Sequence, residues 1–207
     1  YFRKMLLSRY RTPCIRTFST NFKIYTRTGD SGTSQLFSGE RRSKSDHTFV
    51  ALGATDELNS HIGLAREHAF NDGLHDISSQ LEEIMSRLFD VGAAVATPLN
   101  TASSTKVARA SFNERNTDVL EQWIDEHTET LPPLKNFVLP SGGLCAAQLH
   151  VCRSVCRRAE REVHSLVELG AVDPHVAKYL NRLSDYLFTA ARASSCMNGH
   201  SEVIWRK

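Results

Sequence analysis

Apolar residues recur every three or four positions through most of this chain, the spacing of amphipathic helices. The clearest stripe lies in Asp72 to Ala96, where Leu74, Ile77, Leu81, Ile84, Leu88, Val91 and Val95 share one side and Pro98 ends the run. Phe49 to Phe70 carries Leu58, Ile62 and Ala65 in the same way. Thr117 to Leu131 holds Leu120, Trp123 and Ile124, and Pro132-Pro133 stops it. A long helix follows, capped by Ser141 and closed by Gly170. Asp173-Pro174 supplies a cap and a first-turn proline for the last helix, which ends near Asn198-Gly199. There Val176, Leu180, Leu183, Leu187 and Ala190 form the apolar side, and Asn181, Asp185, Phe188 and Arg192 the other. Phe137 to Pro140 reads as a short extended link, and the patternless Leu99 to Asn113 as a mobile loop. No strand alternation and no internal repeat stands out. The sum is an all-α five-helix bundle in one domain, residues 23–207.

The long helix has two faces. Leu144, Val151, Val155, Ala159, Val163 and Leu166 predict the buried one. Arg153, Arg157, Glu160 and His164 fall on a narrow opposite stripe at about 100° per residue. Two arginines one turn apart, followed by a glutamate, suit a polyphosphate, because guanidinium forks bind planar anions in pairs. The same spacing also suits a solvated face laced with i,i+4 pairs. The remainder of the chain decides between them.

The totals narrow the class. A chain of 207 residues, 41% hydrophobic and 23% charged, supports one sizeable core. A net charge of +2 implies no broad nucleic-acid surface. No apolar run has the length of a membrane span. Cys14, Cys145, Cys152, Cys156 and Cys196 are odd in number and form no CxxC pair, which predicts free thiols in a reducing compartment.

Residues 1–22 carry Arg3, Lys4, Arg9, Arg11 and Arg16 with no acidic residue. That is the composition of a mitochondrial transit peptide, with Met5 a candidate start and cleavage expected after Phe18. The next stretch, residues 23–46, is rich in glycine, hydroxyls and basic side chains. Gly29 and Gly32 let backbone approach a ligand, and Ser, Thr and N–H groups can donate to phosphate. It is not a Walker loop.

Six blocks occur in order: TRTGDSGTS, GERRSK, TDELNSHIG, FVLPSGG, CRSVCRRAERE and LNRLSDYLF. Together they closely resemble the PduO-type ATP:cob(I)alamin adenosyltransferases, above all the mitochondrial members, from about Lys23 to Trp205. The resemblance implies transfer of the 5′-deoxyadenosyl group of ATP to cob(I)alamin, after reduction of cob(II)alamin, with release of triphosphate. It implies a homotrimer with sites between subunits, Mg²⁺ on the ATP phosphates, a mitochondrial matrix location, and handover of product to methylmalonyl-CoA mutase.

Residue by residue, the resemblance assigns ATP to Thr26, Arg27, Thr28, Gly29, Asp30, Ser34, Gln35 and Lys44, then to Arg157, Arg158, Ala159, Glu160 and Arg161, and to Asn181. Lys44 and Arg157 would neutralise the leaving triphosphate. Glu160 would orient Arg157 or help hold Mg²⁺. Arg158 points away from Arg157 and is expected to touch phosphate less directly. Phe137 would fill the space under the corrin, in place of a lower axial ligand. Asp56 and Arg153 would pair across subunits near that pocket, with Asp185 beside it. Cobalt(I) is itself the nucleophile, so the protein's tasks are positioning and leaving-group stabilisation. A ferritin-like metal enzyme would need inward Glu-x-x-His pairs, and the chain has none. A thiol or zinc site is disfavoured by the cysteine spacing. A non-catalytic cobalamin carrier would need no cationic cluster for triphosphate.

Overall fold

A computed structural model describes residues 23 and 25–206; the expected transit peptide lies outside the described residues. The elements run β1 (Thr33–Gln35), β2 (Arg41–Ser43), α1 (His47–Asn71), α2 (His75–Val95), α3 (Ser104–Arg109), α4 (Arg115–Thr130), α5 (Leu144–Glu168) and α6 (Pro174–Met197). The five expected helices are present, and α3 makes a sixth. Helix α5 lies antiparallel between α1 and α6, as its bonds from Gln148 to His61 and from Cys156 to Leu180 show. Helix α2 packs on α1. Helix α4 closes the bundle against α6, where Trp123 meets Tyr186 with ring centroids 5.8 Å apart.

The caps follow local chemistry. Asp46 accepts from the Thr48 N–H at the start of α1, and Asp173 from the His175 N–H at the start of α6. At the end of α5, Gly170 takes φ 66°. Its N–H reaches the Val167 carbonyl, and that of Ala171 the Leu166 carbonyl. This pattern satisfies the last carbonyls of the helix and requires a left-handed residue. The expected cap on α5 is corrected: Gly143 stands at the N-cap with no side-chain bond. Ser141 instead donates to the Leu139 carbonyl and accepts from the Val203 N–H.

The buried stripe of α2 is the one its spacing predicts, from Leu74 to Val95. That of α5 is turned. Cys145, Leu149, Cys152, Cys156, Ala159, Val163 and Leu166 are buried, while Leu144 is 72% exposed and Val151 42%. Three thiols act here as small hydrophobes, letting α1 and α6 come close. Burial pushes the Cys152 thiol up to about 12 and that of Cys156 well above its ordinary range. Helix α6 is buried far more widely than one stripe, and Arg192 on its supposed polar side is only 8% exposed.

Two departures concern the connections. Residues 33–43 form an antiparallel hairpin, pairing Thr33 with Ser43 and Gln35 with Arg41. Three-residue strands are too short to show alternation. The segment after Pro98 is structured rather than mobile: it forms α3, and Ala110 and Phe112 are buried, with Phe112 against Tyr179 at 5.1 Å. A six-residue helix is too short for a period to show, and its apolar anchors follow it. Among the described residues no helix is long and apolar enough to cross a membrane.

Candidate active site

The polar stripe of α5 borders α6. Asn181 donates to the Glu160 carboxylate at 2.8 Å, which joins the two helices at this point. Arg157 and Arg161 are exposed, and Arg153 is half-buried with a buried Nε that lacks a partner. Among the described residues none of these three arginines meets a carboxylate. Arg158 does point the other way, pairing with Glu57 of α1. Asp185 pairs with Arg182, which also donates to Glu121, each at 2.8 Å. The i,i+4 lacing expected of a merely solvated face is therefore missing along Arg153, Arg157 and Arg161. Among the described residues their charges have no ion-pair partner.

The N-terminal residues form a second donor group. Arg41 donates to the Thr28 carbonyl at 2.9 Å and to the Thr33 hydroxyl at 2.8 Å, folding residues 26–30 onto the hairpin. The Thr26 and Thr28 hydroxyls lie 3.0 Å apart. Arg27 takes φ 60° and stands over the Tyr25 ring. Gly29 lets Lys44 lie alongside: a Cβ there would sit 3.2 Å from the lysine Nζ. Asp30 is exposed at the loop tip, Ser34 is half-buried in β1, and Gln35 donates to the Gly39 carbonyl.

Arg42 has a different task. It grips Glu40 with two bonds of 2.9 Å and reaches Thr48 at 3.0 Å. Glu40 also accepts from Thr101, and Lys106 of α3 donates to the Ser38 carbonyl at 2.6 Å. The Arg42 bonds, then that from Thr101, hold the Glu40 carboxyl below its ordinary range. The segment after Pro98 thus braces the hairpin, a role its sequence does not reveal.

The third group is apolar. Phe137 is 80% exposed, which excludes plain core packing, and its ring meets Trp205 edge-on at 6.4 Å. Asp56 is exposed at the rim of an open groove of about 380 Å³ between α1 and α2, lined by Phe37, Leu52, Leu88 and Phe89. Asn59 presents a buried, unpartnered Oδ1 there. Phe37 and Phe89 escape sequence reasoning, although Phe89 is an aromatic on the polar side of the cleanest amphipath. It is 72% exposed.

The structure brings Glu160 and Asn181 together, and Lys44 with residues 26–30. Within one protomer it does not join hairpin to arginine stripe, nor Asp56 to Arg153: no hydrogen bond or ion pair links either pair among the described residues.

Residues 24–194 match the cobalamin adenosyltransferase family, and the chain belongs to it. Corrinoid adenosyltransferase MMAB of Mus musculus and of Homo sapiens are each 51% identical over 185 residues, covering 89% of this chain and 78% and 74% of theirs. The corrinoid adenosyltransferase of Bacillus subtilis is 39% identical over 186 residues, covering 89% of this chain and 93% of its own. Among solved structures, a Phe-to-Ala variant of the PduO-type ATP:corrinoid adenosyltransferase of Lactobacillus reuteri, complexed with cobalamin and ATP, superposes with TM-score 0.81 at 36% identity, over 89% of this chain and 100% of that one. An Arg-to-Lys variant complexed with ATP gives TM-score 0.77 at 35% identity, over 88% and 100%.

Proposed function

We propose that this chain carries out the reaction of its family, ATP-dependent adenosylation of cobalamin, in a site shared between copies of a homotrimer in the mitochondrial matrix. The supporting observation is the row Arg153, Arg157, Arg161: exposed or half-buried cations with no carboxylate partner among the described residues, beside the Glu160–Asn181 pair. In the assembly the hairpin of one copy wraps the nucleotide against the stripe of the next. Asp56 of one copy then pairs with Arg153 of the other, removing both unpaired charges.

Cobalt(I) gives its electron pair to C5′ of ATP. The C5′–O bond breaks, and triphosphate leaves with those electrons. Charge grows on the departing phosphate, so Arg157 and Lys44 act where the transition state differs most from the ground state. Thr26, Arg27, Thr28, Gly29, Asp30, Ser34 and Gln35 surround the nucleotide, with Arg158, Ala159 and Arg161 along the helix. Glu160 spends one oxygen on Asn181 and keeps the other available for Mg²⁺. Glu160 would help hold that ion, which would supply charge neutralisation. Phe137, the groove at Asp56 and the adjoining Asp185 receive the corrin. Phe137 excludes a lower ligand from cobalt, which eases reduction from the +2 state. The product passes to methylmalonyl-CoA mutase.

Arg157→Ala tests this. Turnover should fall about 100-fold or more with a raised KM for ATP, as for loss of one charge-stabilising donor. Light scattering should still show a trimer. Unchanged kinetics remove Arg157 from the site, and a monomeric parent protein removes the shared site.

A further inference from the structure

Phe137 sits on a segment that no helix holds. Residues 131–140 cross the end of the bundle between α4 and α5, and all but Leu131 and Val138 are exposed. An aromatic that must stand at a fixed height needs an anchor. The chain after α6 provides one.

Helix α6 ends with Gly199 at φ 68°, and its last carbonyls are satisfied by the Gly199 and His200 N–H groups. This turn sends residues 200–206 back across the 131–140 segment. The Leu139 N–H donates to the Val203 carbonyl and the Trp205 N–H to the Phe137 carbonyl, both at 2.8 Å. Ser141 accepts from the Val203 N–H at 3.0 Å. Two glycines make the approach possible. A Cβ on Gly142 would lie 2.4 Å from the Ser195 Oγ, and one on Gly143 would lie 2.8 Å from His200.

Beneath this strap lies Arg192. Its Nε donates to Glu202 at 2.8 Å, and its Nη2 to the Pro132 carbonyl at 2.9 Å. One buried guanidinium therefore ties α6, the strap and the start of the Phe137 segment. Around it α6 carries Ala190, Ala191, Ala193, Ser194 and Ser195, all buried. A guanidinium buried to this degree must keep its partners, Glu202 and the Pro132 carbonyl, because losing one leaves a buried charge uncompensated.

We infer that Arg192 and Glu202 are positioning residues: the ion pair of the buried guanidinium with the half-buried carboxylate locks the C-terminal strap against residues 131–139 and thereby sets the Phe137 ring under the corrin. The inference rests on the role proposed for Phe137, and its test separates the two.

The chain has two tryptophans, so Trp123→Phe leaves Trp205 as sole reporter of the strap. In that background, Glu202→Ala should lower Trp205 anisotropy and red-shift its emission with no corrin present, and Glu202→Gln, which keeps a hydrogen bond, should restore most of both. Turnover from cob(II)alamin should fall about tenfold in Glu202→Ala, the cost of a misplaced group, with KM for ATP within about twofold. Adding Glu202→Ala to Phe137→Ala should cost nothing further. Unchanged Trp205 emission, or additive losses in the double variant, overturns the inference. If Phe137→Ala itself leaves turnover intact, the role of Phe137 fails while the emission data still judge the lock. Should Glu202→Ala not fold, Arg206→Ala and Trp205→Ala at the exposed end of the strap replace it. Trp205→Ala must then reproduce the turnover loss and Arg206→Ala must not; any other result overturns the inference.

Discussion

Two short antiparallel pairings lie at opposite ends of this bundle, and the ion pairs that hold them differ in burial. The hairpin of β1 and β2 sits where α1 begins, fastened by Arg42–Glu40, Thr101 and Lys106, groups that water reaches. The strap over Phe137 sits where α6 ends, fastened by an arginine that water barely reaches. Exposed ion pairs contribute little and yield readily. Buried ones are costly to break. A segment that wraps a polyphosphate gains from contacts that can be re-made around a ligand, whereas a segment that presents a ring at a set height gains from contacts that cannot.

The largest effect expected of this contrast is on stability. Glu202→Ala leaves Arg192 buried without its carboxylate and should lower the unfolding free energy by about 2–4 kcal/mol in urea titration. Glu40→Ala should leave the urea midpoint close to the parent's. Equal shifts would erase the distinction. A smaller effect is expected from Lys106→Ala, which removes one half-buried bond from the brace. KM for ATP should rise about fivefold, the value of one such bond, with turnover unchanged. A fall in turnover with constant KM would instead place α3 in the chemistry.

The smallest effect is a titration. Arg42 lowers the Glu40 carboxyl, so this pairing contributes above the unfolded glutamate range and is lost as pH falls through the lower folded value. Carboxyl NMR should show Glu40 titrating below about 4.3, the ordinary glutamate value, and returning towards it in Arg42→Met. A midpoint that does not move would show that the hairpin is held by something else.

Much of this was legible in the chain. The α2 stripe from Leu74 to Val95 is regular because one face meets one partner, so period alone predicts it. Helix α5 has partners on two sides, so its buried face widened to include three thiols, and Leu144 and Val151 were assigned to the wrong side. The spacing of charge places Arg157 and Glu160 on one stripe of α5, and the structure joins Glu160 to Asn181. Arg192 falls on the polar side of α6 by its period, and nothing local reveals that a glutamate ten positions on folds back over it. The brace at Lys106 is illegible for the same reason, since it owes its place to a carbonyl far along the chain, whereas Phe89 is visible as an aromatic out of step with its stripe.

The three sulfurs along the inner side of α5 have one more consequence. Thiolates are strong ligands for soft metals, and a bundle that brings a corrin close to that helix would risk capturing its cobalt. Burial pushes the Cys145, Cys152 and Cys156 thiols up and keeps them from solvent, so with the corrin placed as proposed above the sulfurs of α5 are not offered to its metal.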